Sequence, residues 1–424
     1  MTSPLVIQGK EHEADFVTTQ EEFDCQKYLG QCIAGYKGGE RKILGLHKKG
    51  DGFAPGNYIG MVWLDEGNNR VLRVDPKFST MDYIAMYAEC MAHPIVSDRT
   101  AKCLHVGTDE KFIGIGGRIF SILIVITYLR ELNKFCQRQM RRHFTHKREN
   151  FVGKMKGKIL VGEHLRCNII HARLDRIYCE YQSVSNDILE NQILRAALER
   201  ASRFFDEYRG NKKVLDALPQ WIRASRAVLN DVSIKKIKSS DFAVARKHGT
   251  FAPYKHPLAL AKLILQTLGP NPQAKISHTE TPPFSLASDR LFERYAEMKL
   301  RESSPNIVTP TKDTDTTDAG AFNVAVRPDF YDNDKIPPRI IDAKYKKLNL
   351  ANMEQGDIYQ IIAYSQHRGL LNKMECERDS IQLGLAYPSV NGSNKIIDNK
   401  VSQAFFPDIV VYEIPCPIKK NEDK

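Results

Sequence analysis

The stretch NVAVRPDFYDNDKIPPRIIDAKYKKL, Asn323 to Leu348, decides how this chain is read. Two apolar-containing runs flank the turn-rich DNDKIPP, the pattern of an antiparallel hairpin. Asp329 closes the first run as Pro328-Asp329, and Asp342-Ala343-Lys344 lies on the second. With the turn centred between Lys335 and Ile336, Asp329 falls opposite Asp342. Side chains alternate along a strand, so Asp342 and Lys344 share a face. Two carboxylates and one ammonium are thereby predicted to meet at one spot.

That meeting has a chemical use. Two close carboxylates repel, and ionising both is unfavourable unless a cation lies between them. A divalent ion with oxygen preference, Mg²⁺ first and Mn²⁺ as a substitute, removes the repulsion and leaves coordination positions for water and phosphate. Asp329 and Asp342 are the expected ligands, with the carbonyl of Ala343 as a further one. Lys344 would place the attacking water or stabilise developing negative charge. The expected reaction is metal-dependent phosphodiester hydrolysis.

Downstream, DIYQIIAYS (Asp357–Ser365) reads as a helix with Gln360 and Tyr364 one turn apart on one face, and both join the candidate site. Gln360 also has a local explanation. Asp357 three residues earlier makes D-x-x-Q, a capping box that would only close the helix start. Upstream, LASDRLFERYAEMKL (Leu286–Leu300) is amphipathic and carries Glu293, a candidate third metal-binding carboxylate.

Working outward, residues 1–110 look β-rich: NYIGMVWL (Asn57–Leu64) and RVLRV (Arg70–Val74) flank an EGNN turn. From Lys111 to Met140 the apolar spacing becomes helical. Arg130–Lys158 then holds ten Lys/Arg against Glu131 and Glu149, a run that fits DNA, a partner protein or a solvated face. His143 and His146 read as surface helix histidines, and Asp187 with Glu190 as a helix cap and its box partner. DILENQILRAALERASRFF (Asp187–Phe205) and HPLALAKLILQTL (His256–Leu268) are predicted helices, and Gly269–Phe284 is the linker candidate. Ser303–Ala321 reads as a polar surface loop. The expected protein is α+β and multidomain: a β-containing N-terminal region over 1–150 ending in a basic helix, a central mostly helical domain over 151–275, and a C-terminal mixed α/β domain over 285–424.

Composition narrows the class. The chain has 424 residues, 62 Lys plus Arg against 51 Asp plus Glu, and a net charge of +11, which suits a polyanionic partner without specifying a fold. At 42% hydrophobic and 27% charged residues it is too apolar for a disordered chain. Nine cysteines without a C-x-x-C pair read as reduced thiols, hence a cytoplasmic protein. The first residues lack a secretory pattern, and the longest apolar run, Ile119–Leu129, is well short of the roughly 20 residues of a spanning helix. No membrane partner is expected.

Pro328-Asp329, Asp342-x-Lys344 and Gln360-x-x-x-Tyr364 together resemble the PD-(D/E)xK nuclease superfamily. LFERYAEMKLRE, RPDF…RIIDAKYKKL, DIYQIIAYS and LGLAYP (Leu383–Pro388) stand in the order found in the McrC family, the nuclease subunits of McrBC modification-dependent restriction systems. MKGKILVGEHLRCN (Met155–Asn168) and YCEYQSVSNDILENQILRAAL (Tyr178–Leu198) resemble that family's segment ahead of its central helices. The resemblance spans roughly Phe151 to Glu413 and is weaker over residues 1–150.

It implies that residues 285–424 form the nuclease domain of an endonuclease subunit that cuts double-stranded DNA. A McrB-like AAA+ GTPase ring would read the modified base, and this chain would dock on the ring and stimulate its GTPase. The chain carries no G-x-x-x-x-G-K-[ST], in keeping with a nucleotide motor on another polypeptide. Glu293 stands where the superfamily often has a helix carboxylate, whereas McrC-like chains carry an amide there in some cases. Double-strand cutting makes a homodimer in the cleaving complex an open expectation. Two rival readings are a self-sufficient RecB- or Cas4-like repair exonuclease and a non-catalytic adaptor that binds DNA or the ring. An iron–sulfur exonuclease would need more than Cys376 and Cys416 in the C-terminal block.

Overall fold

The hairpin read from the sequence opens one edge of a five-stranded sheet. In the computed structural model its strands run Phe330–Asp332, Arg339–Ala343, Gln382–Ser389, Phe406–Pro415 and Ile397–Gln403 in spatial order. The structure describes residues 5–11, 47–49, 52–65, 70–106, 112–113, 117–138, 140–209, 217–268, 280–310, 327–350, 353–377, 380–389, 395–403 and 406–419. Phe330 pairs with Ile341, Tyr331 with Ile340 and Asp332 with Arg339, which is the register of a turn centred between Lys335 and Ile336. Asp329 does not close the first strand, however; it immediately precedes it, and residues 323–326 of the expected run lie outside the described residues.

The three central strands are parallel and the two edge strands antiparallel. Parallel strands need crossover connections, usually helices, which cover the sheet faces and leave strands apolar almost throughout. Accordingly Ile340, Ile341, Leu383, Leu385 and Val411 are buried, and Ile358 and Ile361 of the helix Gln355–Ser365 pack into the same core. Gly384 is required by close approach. A Cβ there would lie 2.7 Å from the Tyr412 ring and 3.1 Å from Ile341. Buried Arg339 is matched by Asp332 at 3.1 Å and bonds Ser304 at 2.5 Å. Ser304 is the second residue of the predicted polar loop Ser303–Ala321, whose first residue ends a helix; Ile307 of the loop is buried and Val308 bridges Tyr331, and residues 311–321 lie outside the described residues.

A second five-stranded sheet runs Leu5–Lys10, Arg70–Asp75, Tyr58–Asp65, Phe284–Ala287 and Leu104–Val106. It contains the expected hairpin of Tyr58–Asp65 with Arg70–Asp75. Phe284–Ala287 leads directly into the helix Ser288–Ser303. The end of the expected linker is therefore sheet structure, with Glu280–Thr281 also paired to Phe112–Ile113, while residues 269–279 lie outside the described residues. For that reason the compact units depart from the expected segments 1–150, 151–275 and 285–424. One combines the chain up to Leu123 with the chain from Lys275 onward.

The other unit takes Ile124–Lys212 and Asp216–Ala274. It holds the helices Leu189–Arg209, Ala217–Val228 and Lys255–Thr267 and an antiparallel sheet of His143–Val152, Arg176–Ser185 and Lys158–Ile159. His143 and His146 are thus strand residues and not helix residues, because the basic run ends the helix Gly117–Arg138 and re-enters as a β-ladder. The capping reading of Asp187 and Glu190 is also corrected. Asp187 accepts from Gln192 and from the backbone of Ser233, and Glu190 is held by Arg246 at 2.9 Å. Long-range partners outcompete the local box. Among the described residues no helix is long and apolar enough to cross a membrane.

Candidate functional site

The strand Arg339–Ala343 delivers Asp342 to the end of the parallel sheet, where it is 3% exposed. The chain stays extended beyond it, with the Lys344 amide donating to the Ala386 carbonyl at 2.7 Å. Alternation then brings Lys344 Nζ onto Asp342 Oδ2 at 2.6 Å, as the shared face required. Asp329 crosses to the same place, its Oδ2 accepting from the Ala343 amide at 2.7 Å. Because Asp329 is tied to the backbone between Asp342 and Lys344, hairpin register sets the spacing of all three groups.

The helix Gln355–Ser365 completes a ring of contacts. Lys344 Nζ donates to Gln360 Oε1 at 2.6 Å, Gln360 Nε2 donates to the Tyr364 hydroxyl at 2.6 Å, and that hydroxyl donates to Asp342 Oδ1 at 3.4 Å. Gln360 and Tyr364 are neighbours through the one-turn spacing of the helix. The capping-box reading of Gln360 is corrected, because the helix begins after Glu354 and Asp357 lies inside its first turn. Asp357 is buried and instead gathers cations. Lys346 reaches it at 2.5 Å and Lys344 at 3.6 Å, while Tyr387 donates to it at 3.1 Å.

Charge is concentrated on the acidic side. Burial pushes the carboxyl of Asp329 well above its ordinary range, and the neighbouring charges of Asp342 and Glu293 push it further. Asp342 is raised by burial against the opposing pull of Lys344. Glu293 is raised by burial despite Arg294, which holds it at 2.7 Å. Burial and the charge on Asp342 take the Tyr364 hydroxyl up to about 12, so it remains a hydrogen-bond donor near neutral pH. A cleft of about 310 Å³ opens here, with Asp289, Glu293, Asp329, Ala343, Lys344 and Lys346 among its lining residues.

Hard oxygen donors crowded together in a partly buried site are the donor set that a divalent cation suits. Asp329, Asp342 and the Ala343 carbonyl are the oxygens that could hold such an ion. Among the described residues no three His, Cys, Asp or Glu side chains form a ready-made metal centre, so Glu293 lines the cleft without completing one. The hairpin, the alternation and the Q-x-x-x-Y spacing foretold Asp329, Asp342, Lys344, Gln360 and Tyr364 as neighbours, and the structure brings them together. Asp357 and Lys346 were missed; Lys346 stands two residues beyond Lys344, past a tight turn in which its amide donates to the Lys344 carbonyl at 2.9 Å, and strand alternation does not place it. Asn57 and Asp289 also line the cleft; Asn57 is far away in sequence, and no local signal marks it.

No curated protein matches the chain. Among solved structures it is similar to a refined half-complex from the tetradecameric assembly of Thermococcus gammatolerans McrB AAA+ hexamers with bound McrC, with 15% identity and a TM-score of 0.44. That match covers 97% of this chain and 94% of the other. It is also similar to a chain of the Thermococcus gammatolerans McrBC complex, with 15% identity and a TM-score of 0.33, covering 70% of this chain and 87% of that one. The family described as McrBC 5-methylcytosine restriction system component matches over residues 54–373, which is most of the chain, and this protein therefore belongs to that family.

Proposed function

We propose that this chain is the McrC-like subunit of a restriction complex: a Mg²⁺-dependent, PD-(D/E)xK-type DNA endonuclease that acts with a McrB-like AAA+ GTPase and stimulates its GTP hydrolysis. The observation that carries the reading is the closed set Asp342–Lys344–Gln360–Tyr364 beside Asp329 at the end of the parallel strands. Family membership supports a role as one component of a 5-methylcytosine restriction system. The solved assemblies of McrB hexamers with bound McrC are the kind of complex we assign to it.

Asp329, Asp342 and the Ala343 carbonyl would hold the metal, with Glu293 at the edge of the site. When bound, the ion would polarise the phosphodiester and lower the pKa of a coordinated water. Lys344 serves the other side of the reaction. Its ammonium, steadied by Asp342 and Gln360, is aimed where water attacks and where phosphorane charge develops. Gln360 and Tyr364 keep that ammonium and the Asp342 carboxylate in one orientation, which is the preorganisation that electrostatic catalysis needs.

The test is cleavage of methylated plasmid by the chain with its GTPase partner and Mg²⁺. Asp342→Ala should reduce cleavage by roughly 10³-fold or more, the scale on which losing one member of a catalytic unit acts. Stimulation of the partner's GTPase should persist. Undiminished cutting by the purified variant would remove the site assignment.

A further inference from the structure

The N-terminal segment closes a polar lock on the residue that follows the Asp342-x-Lys344 motif. Tyr345 follows Lys344 and lines the same cleft, and it is held at both of its polar ends. Its carbonyl accepts from Lys77 Nζ, which also stands over its ring at 4.0 Å from the centroid. Its hydroxyl meets that of Tyr83 and donates to Glu11 Oε2 at 3.2 Å. Glu11 follows the strand Leu5–Lys10, is 3% exposed, and accepts from the Lys77 amide at 3.0 Å and from the Ser288 hydroxyl. Ser288 is the first residue of the helix that carries Glu293. Lys77 also donates to Asn57 at 3.5 Å, and Asn57 lines the cleft.

This network joins three segments distant in sequence, and nothing in the chemistry assigned above uses it. Buried polar groups are retained where they are fully satisfied, and such networks specify a single arrangement. The arrangement specified here is the backbone at 344–345. The Lys344 amide is tied to Ala386 on one side and the Tyr345 carbonyl to Lys77 on the other. A lysine whose ammonium must sit within a fraction of an ångström of its target depends on that backbone.

We propose that Lys77 is a positioning residue of the active site, acting through Tyr345 to hold Lys344, and that Glu11, Lys77 and Tyr83 thereby support the catalytic apparatus. The proposal rests on the nuclease reading. Its test uses the full chain with its GTPase partner, methylated DNA and Mg²⁺, comparing Lys77→Met and Lys77→Arg with Asp342→Ala as the control. Lys77→Met should lower the maximal cleavage rate roughly 10- to 100-fold, the effect of a displacement near 1 Å. The DNA concentration for half-maximal rate and the GTPase stimulation should stay within about twofold, and Lys77→Arg should recover most of the rate. Wild-type cutting by Lys77→Met overturns the proposal, and so does a parallel loss of GTPase stimulation, which would make the segment a docking element. Where Lys77→Met does not fold, Tyr83→Phe carries the same test with one hydroxyl removed: a reduced maximal rate supports the lock, and a wild-type rate overturns it. Cutting by Asp342→Ala would instead refute the nuclease reading itself.

Discussion

Asp329→Asn should make the metal-free protein more stable. The carboxylate of Asp329 faces two like charges, Asp342 and Glu293, in a partly dehydrated site, and its pKa is held well above the ordinary range. Each unit of such a shift corresponds to about 1.4 kcal/mol by which the ionised group weakens the fold. An amide of the same shape keeps an oxygen for the Ala343 amide, now bonded at 2.7 Å, but a neutral acceptor is weaker than a charged one by about 1 kcal/mol. The net expectation is a gain of about 1–2 kcal/mol, or about 1–2 °C in Tm for a chain of 424 residues.

The sign with pH follows from linkage. A carboxyl raised in the folded state favours folding at low pH, where it is protonated, and that contribution is lost as pH rises through its folded pKa. The variant and the parent should therefore melt together near about pH 4 and diverge above it. Added Mg²⁺ should reverse the order. Ligand at about 100 times its Kd stabilises by roughly 2.7 kcal/mol, and only the parent retains both aspartates. Differential scanning fluorimetry in chelator and in Mg²⁺, at several pH values, measures all of this. A variant less stable than the parent in chelator at pH 8, or equal stabilisation of both by Mg²⁺, would refute the electrostatic reasoning.

Three further outcomes follow from the same geometry. Lys344→Met should cut cleavage by roughly 10²–10³-fold, and it should also destabilise the chain, because Asp342 loses its 2.6 Å partner in a buried site; a stable, fully active variant would show that the ammonium is only a surface charge. Tyr364→Phe removes one donor to Asp342 and one acceptor from Gln360, so a loss of about 1 kcal/mol in stability and a modest drop in cleavage rate are expected from urea titration and single-turnover assays. Gly384→Ala forces a methyl to within 2.7 Å of the Tyr412 ring, and chemical denaturation should report about 1–3 kcal/mol of destabilisation.

Much of this site was legible because its members are joined by local periodicities. A turn centred between Lys335 and Ile336 fixes which residues face each other, and the observed Phe330–Ile341 pairing continues to Asp329 and Asp342. Period two puts Lys344 with Asp342, and one helical turn puts Gln360 with Tyr364. Where the sequence suggested a local hydrogen bond between short polar side chains, the reading failed. Asp357, offered as the partner of Gln360 in an alternative capping box, pairs with Lys346 and Lys344, and Glu190, expected to close a capping box, pairs with Arg246. Capping signals describe what a segment does alone, and a buried carboxylate with a cation in reach takes the stronger partner.

By itself the sequence determined the Asp-Asp-Lys constellation and the helix that braces it, since each depends on the spacing of residues along a short piece of chain. Only the tertiary structure decided what surrounds that constellation. Phe284–Ala287 inserts beside Tyr58–Asp65, which joins the two ends of the chain into one unit and sets the helix of Glu293 at the cleft. Glu11 meets Tyr345 across more than three hundred residues. No periodicity reports such a contact, because it arises from buried polar groups finding partners wherever the fold brings them.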